Sequence, residues 1–220
     1  MVSSDELGVV RSFYGSNLSA VGPSFPALGW YTPETQRVRF EVFELLGDLS
    51  HSSILDAGCG LGDFFRFMLE KKHEEFSYTG IDVMQAFIVE AQRRYCHAGR
   101  RGAASLRPYG DPQHNVQFKT TTWTDLSEPV DWVLCSGALN LKQPQPYAYA
   151  QAQLAIFLKL ARKGVAVNFL SGRQRVAGEE DVFFYYDPLL LLEKAFALTP
   201  HVVLHHDYLA NDFTVFLYPA

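Results

Sequence analysis

Short apolar runs alternate with amphipathic stretches from about residue 50 to residue 200. Extended runs are predicted at Ser53–Ala57, Tyr78–Asp82, Val116–Thr120, Asp131–Cys135 and Val165–Leu170. Helical spacing is predicted at 63–72, 84–97, 147–162 and 187–197. Strands separated by helices predict a parallel sheet covered on both faces, and the nearly unbroken apolar character of the runs agrees. "HVVLHHDYL" and "DFTVFLYP" break this rhythm. Only "AN" separates them, too little chain for a crossover helix, so the pair is predicted as an antiparallel hairpin.

Upstream, residues 1 to about 22 read as partly helical and "GPSFPALGWYTPE" as a Pro/Gly-rich loop. Thr32-Pro33-Glu34 opens a helix with a hydroxyl cap, proline at the first position and an acid in the first turn. That helix is predicted over about 33–48, with Val38, Val42, Leu45, Leu46 and Leu49 on one face. The whole, 1–220, reads as one α/β domain: a doubly wound, mostly parallel seven-stranded sheet (50–220) ending in an antiparallel hairpin, with an N-terminal helical cap or lid (1–49).

Composition narrows the class. The chain has 220 residues, 48% of them hydrophobic and 20% charged, with a formal net charge of −5. Arg93, Arg94, Arg100, Arg101 and Arg107 read as solvated charge around a helix end, so nucleic acid is not the expected partner. Cys59, Cys96 and Cys135 lack metal-ligand spacing, and an odd count makes a poor disulfide framework, which suits a reducing cytoplasm. Met1 to Arg11 is polar and acidic, unlike a signal peptide, and no run approaches the roughly 20 apolar residues of a membrane span.

The densest chemical signal is "ILDAGCGLGDF", residues 54–64. Asp56 closes a strand; Gly58, Gly60 and Gly62 follow and let a ligand approach bare backbone. In open α/β sheets, ligands bind outside the carboxyl ends of the strands at the switch point. A dinucleotide fingerprint reads G-x-G-x-x-G and presents a helix N-terminus to pyrophosphate. Here the order is D-x-G-x-G-x-G. The leading acid repels a pyrophosphate and suits a ligand carrying an amine and a sulfonium.

This stretch resembles motif I of the class I S-adenosylmethionine-dependent methyltransferases, and "YTGIDV" resembles their motif II. The stretches "GW…QRVRF", "NFLS" and "HDYLANDFT" are similar to those of one bacterial branch. The resemblance, over about residues 50–220, implies a Rossmann-like methyltransferase that passes a methyl group from S-adenosylmethionine to a small-molecule acceptor, without a metal. It implies cofactor contacts from Asp56, Ala57, Gly58, Cys59 and Gly60, and from Asp82 and Val83, with Asp82 on the ribose hydroxyls; Asp82 can equally cap the next helix. Thr122 and Trp123 fall where the family often has an acid near adenine, with Asp125 a possible substitute. "DWVLCSGALN" resembles the fourth strand, placing Cys135, Ser136 and Gly137 by the methionine part and the transferable methyl. It lacks the Asn/Asp-Pro-Pro-Tyr/Phe motif of amino-methylating nucleic-acid enzymes. Gln36 and Arg39 are candidates for the cofactor carboxylate, and Tyr14, Trp30, Phe184 and Tyr185 for an acceptor pocket. His205, His206, Asp207 and Tyr185 are candidate bases; Asn140 either touches substrate or caps a turn. On a strand His205 and His206 face opposite ways, so only one can serve a given site. Two readings compete: a nicotinamide-dependent oxidoreductase, and a non-catalytic cofactor-binding or scaffold domain of the same fold.

Overall fold

The computed structural model describes residues 4–96, 114–178 and 181–220. Arg100, Arg101, Arg107 and the expected last residue of the helix at 84–97 lie outside them. Two helices, α1 (Ser4–Val21) and α2 (Pro33–Phe43), precede β1 (Ser53–Ala57). Then follow α3 (Asp63–Glu70), β2 (Ser77–Asp82), α4 (Gln85–Tyr95), β3 (Asn115–Thr120), β4 (Val130–Cys135), α5 (Pro146–Leu160), β5 (Ala161–Leu170), α6 (Pro188–Phe196), β6 (His201–Leu209) and β7 (Asp212–Tyr218).

The seven strands lie in the order β3-β2-β1-β4-β5-β7-β6. β1 is parallel to β2 and β4, β2 to β3, and β4 to β5. β7 runs antiparallel to both β5 and β6, so it alone opposes the rest. Alternation along each strand splits the core. Ile54, Trp132, Leu134, Ala166 and Phe216 face α2, α3 and α4. Leu55, Val133, Val167, Phe213 and Val215 face α5 and α6. The hairpin forms as predicted, closed by Ala210-Asn211. Among the described residues no helix is long and apolar enough to cross a membrane.

Two boundaries differ from the sequence expectation by four residues or more. α2 starts as predicted, the Thr32 hydroxyl accepting from the Thr35 amide at 3.2 Å. It ends at Phe43, however, and a 3₁₀ turn, Glu44–Leu46, follows. The chain passes tightly over Trp132 there: a Cβ on Gly47 would lie 2.8 Å from the indole ring, whose Nε1 donates to the Asp48 carbonyl. Leu45, expected on the buried face, is 60% exposed as a result. β5 begins at Ala161, four residues early. Arg162 and Lys163 resemble the basic last turn of a helix, but Ala161 is already extended (φ −94°, ψ 131°).

Candidate active site

β1 delivers Asp56 to the carboxyl edge of the sheet, and the glycine loop turns from there into α3. Gly58 has φ +81°, and a Cβ on it would lie 2.6 Å from Cβ of Ala138, so only glycine fits. The loop amides are turned inward. Gly58 and Cys59 both donate to the Ile81 carbonyl at 2.9 Å, and Gly60 donates to Oδ2 of Asp82 at 3.0 Å. These three N–H groups are therefore spent on β2 and are not offered to an anion.

Carboxylates face the opening instead. Asp56 is 4% exposed and accepts from the Tyr78 hydroxyl. Burial pushes its pKa up to about 7; the Tyr78 bond opposes that, and repulsion from Asp82 and Asp63 adds to it. Asp82 is pushed up to about 6 by burial, against the amides of Met84, Gly60 and Val83 that stabilise its charge. Its Oδ1 accepts from the Met84 amide at 2.8 Å, but α4 begins after Met84 and takes no side-chain cap from it. Asp63, first residue of α3, is 6% exposed, and its Oδ2 has no hydrogen-bond partner among the described residues.

A cavity of about 1460 Å³, counted out to its mouth, opens over this edge. Asp56, Gly58, Cys59, Gly60, Asp82, Val83, Thr122, Trp123, Ser136, Gly137, Asn140 and Arg39 all line it. Ala57 is fully buried behind them. Trp123 is both wall and core: its Nε1 donates to Gln153 at 2.7 Å and its ring packs edge-on against Phe157. The Thr122 hydroxyl donates to Asp125 at 2.9 Å, so Asp125 is turned back on its own loop. Burial, and after it the Asp56 charge, push the Cys59 thiol pKa up.

The N-terminal segment supplies one wall. Arg39, 4% exposed, donates from Nε to Oδ2 of Asp212 at 2.7 Å and from Nη1 to the Thr35 carbonyl at 2.8 Å. The other Asp212 oxygen accepts from the Tyr208 hydroxyl at 2.6 Å. Trp30 lies over the Arg39 guanidinium, 4.8 Å to its ring centroid. Gln36 is 5% exposed and lines the cavity, its side-chain amide without a hydrogen-bond partner among the described residues. Tyr14, on α1, meets Phe87 edge-on, and burial together with the Asp82 charge raises its pKa.

Of the candidate bases, neither His206 nor Tyr185 is among the described residues that line the cavity. His206 pairs with the Ser171 hydroxyl at 2.7 Å and stacks on Phe213; His205 lies against Phe216, on the opposite face as expected. The Tyr185 hydroxyl accepts from the Val176 amide. Asn140 does line the cavity, and it caps no turn of its own: its Oδ1 accepts from the Leu170 amide at 3.0 Å.

Sequence reasoning missed Asn168, 0% exposed on β5. Its Oδ1 accepts from the Gly137 amide at 2.8 Å and its Nδ2 donates to the Ser136 hydroxyl, fixing the loop after β4. A lone amide inside the apolar run "VAVNFL" was the available signal.

A family model described as a methyltransferase domain matches residues 55–164, which span the glycine loop, Asp82 and the loop after β4. The chain belongs to the methyltransferase-domain family. No curated protein matches this methyltransferase. Solved structures share its fold. The Burkholderia thailandensis 1,6-didemethyltoxoflavin-N1-methyltransferase, with bound 1,6-didemethyltoxoflavin and S-adenosylhomocysteine, is 17% identical, with a TM-score of 0.66 over 98% of this chain and 89% of that one. A DhpI–SAH complex is 15% identical, with a TM-score of 0.65 over 97% of each chain. The magnesium protoporphyrin IX methyltransferase of Synechocystis PCC 6803, with bound SAM, is 16% identical, with a TM-score of 0.60 over 100% of this chain and 93% of that one. At these identities the likeness shows the fold of the methyltransferase domain.

Proposed function

We propose that this methyltransferase domain takes S-adenosylmethionine as methyl donor and a small molecule as acceptor. One observation carries the choice of donor: the Gly58, Cys59 and Gly60 amides are spent internally, while Asp56, Asp63 and Asp82 line the cavity. Such a lining favours a cation with hydroxyl donors and disfavours a pyrophosphate, which argues against the nicotinamide-dependent alternative. When bound, the donor supplies a sulfonium-activated methyl group.

The residues divide the work by position. Asp82, at the end of β2, keeps acceptor capacity for the ribose hydroxyls beyond its bonds to the Gly60, Val83 and Met84 amides. Trp123 and Thr122, at the end of β3, form the adenine wall. Asp56, Cys59, Val83, Ser136 and Gly137 surround the amino-acid part, with Ala57 holding the loop behind them. The Gln36 amide suits the carboxylate of that part, assisted by Arg39, although the Arg39 guanidinium is anchored to Asp212. Residues 1–49 act as a cap, Trp30 and Tyr14 excluding water from the reacting centre. The enzyme's main contribution is alignment, since the methyl is already activated. Two of the three solved relatives are named for small molecules, 1,6-didemethyltoxoflavin and magnesium protoporphyrin IX, and this supports the acceptor class.

The test is transfer of labelled methyl from S-adenosylmethionine across a broad small-molecule panel. Labelled product together with S-adenosylhomocysteine is expected. Cofactor binding with no product from any acceptor would favour a non-catalytic domain.

A further inference from the structure

The sheet order separates the two halves of the cavity. Asp82 and Thr122 sit over β2 and β3; Asn140, Leu170 and Leu209 sit over β4, β5 and the hairpin. In the second half Asn140 is 5% exposed and its side-chain orientation is set chemically. Its Oδ1 receives the Leu170 N–H at 3.0 Å, and an NH₂ in that place would face another donor. Nδ2 therefore points away from Leu170, and among the described residues it has no hydrogen-bond partner. It is not among the buried orphaned atoms, so it reaches open space, and the cavity is the space Asn140 lines.

Around it the wall is flat and apolar. The Trp30 ring is pinned between the Arg39 guanidinium and Gly137, where a Cβ would lie 2.8 Å from it. Phe183 closes another side, braced by Phe13 at 5.5 Å between centroids. Slots of this kind fit planar rings.

We propose that Asn140 is the group that selects the acceptor, and that the acceptor is a planar conjugated molecule presenting a phenolate or enolate oxygen to Nδ2. The proposal rests on the methyl-transfer reading above. Asn140 directs Oδ1 at the Leu170 amide and presents Nδ2 to the cavity, so its open end donates to an acceptor oxygen and does not accept a hydrogen bond from an amine. A donor amide binds an oxyanion more strongly than a neutral oxygen and lowers the pKa of the parent hydroxyl. The hydroxyl proton leaves to solvent. An oxygen lone pair then forms the C–O bond to the methyl carbon while the C–S pair returns to sulfur, so the phenolate and sulfonium charges cancel.

The experiment uses the full chain, labelled S-adenosylmethionine, and a matched pair of probes, 7-hydroxycoumarin and 7-aminocoumarin. Asn140→Asp keeps the oxygen that Leu170 needs and removes the donor; thermal denaturation checks its fold. Label is expected in the hydroxyl probe alone. Asn140→Asp is expected to lower kcat/KM by about 10- to 100-fold, the equivalent of one charge-assisted hydrogen bond. Its S-adenosylmethionine affinity should not fall, and the acid limb of its pH profile should move upward. Equal methylation of the amino probe would overturn the proposal. So would an unchanged rate in Asn140→Asp, or failure of the hydroxyl probe either to react or to bind the S-adenosylhomocysteine-loaded protein. Loss of S-adenosylmethionine binding in the unmodified chain would instead overturn the methyl-transfer reading itself.

Discussion

The Gly60 amide donates to Oδ2 of Asp82 at 3.0 Å, across 22 residues of chain, and so fastens the glycine loop to the end of β2. Asp82 thus has two tasks, shaping the loop and meeting the ligand. Asp82→Ala is expected to weaken S-adenosylmethionine binding by about 1.5–3 kcal/mol, the range for hydrogen bonds to a charged group. Calorimetric titration checks this, and an unchanged dissociation constant in a folded variant would remove Asp82 from the ribose site.

The raised carboxyls give the ligand-free protein a pH signature. Asp56 and Asp82 ionise near 7 and 6 in the fold against an ordinary value of 3.8. A raised acid favours the folded state while it stays protonated. Its contribution is full below about 3.8 and is lost as pH climbs through the folded values. Glu90, held down to about 2 by its bonds to Arg93 and Arg94, contributes with the opposite sign. Ligand binding isolates the site from such groups. A cationic ligand requires the ionised carboxylates, so S-adenosylmethionine should release protons as it binds and bind more tightly from about pH 5 to about pH 8. Titrations in two buffers of different ionisation enthalpy measure the release.

Arg39 and Asp212, 173 residues apart, form a buried pair that ties α2 to the terminal hairpin. Removing either partner leaves a charge in the interior, at a cost of about 3–5 kcal/mol. Arg39→Met and Asp212→Ala should each be strongly destabilising in denaturant unfolding. The double variant should lose less than the sum of the two. Strict additivity would show that the pair does not couple these elements.

Gly137 has φ +78° and backs directly onto Trp30. Gly137→Ala should cost about 1–3 kcal/mol through overpacking and should shift the tryptophan emission as Trp30 is displaced. Unaltered emission and stability would place Trp30 elsewhere.

Much of this was legible in the chain. Strand-helix alternation gave the parallel sheet, and the two-residue link at Ala210-Asn211 forced the hairpin. The acid before the glycines pointed to a cationic ligand. What escaped were pairings set by the tertiary fold. Nothing local in "QRVRF" says that Arg39 will be claimed by Asp212, or in "VAVNFL" that Asn168 will hold the loop after β4. Residue type likewise failed to fix direction. His206 and Tyr185 have titratable groups, but Ser171 and Val176 occupy them. Asn140 had two readings until the Leu170 amide showed which end of its side chain remained.

Calorimetric titration of the full chain with S-adenosylmethionine and, separately, with NADH decides which ligand the cavity takes. The inward-turned amides and outward-facing carboxylates predict saturable binding of one S-adenosylmethionine per chain and no binding of NADH. Tight binding of NADH without binding of S-adenosylmethionine would show that this lining does not select a cation.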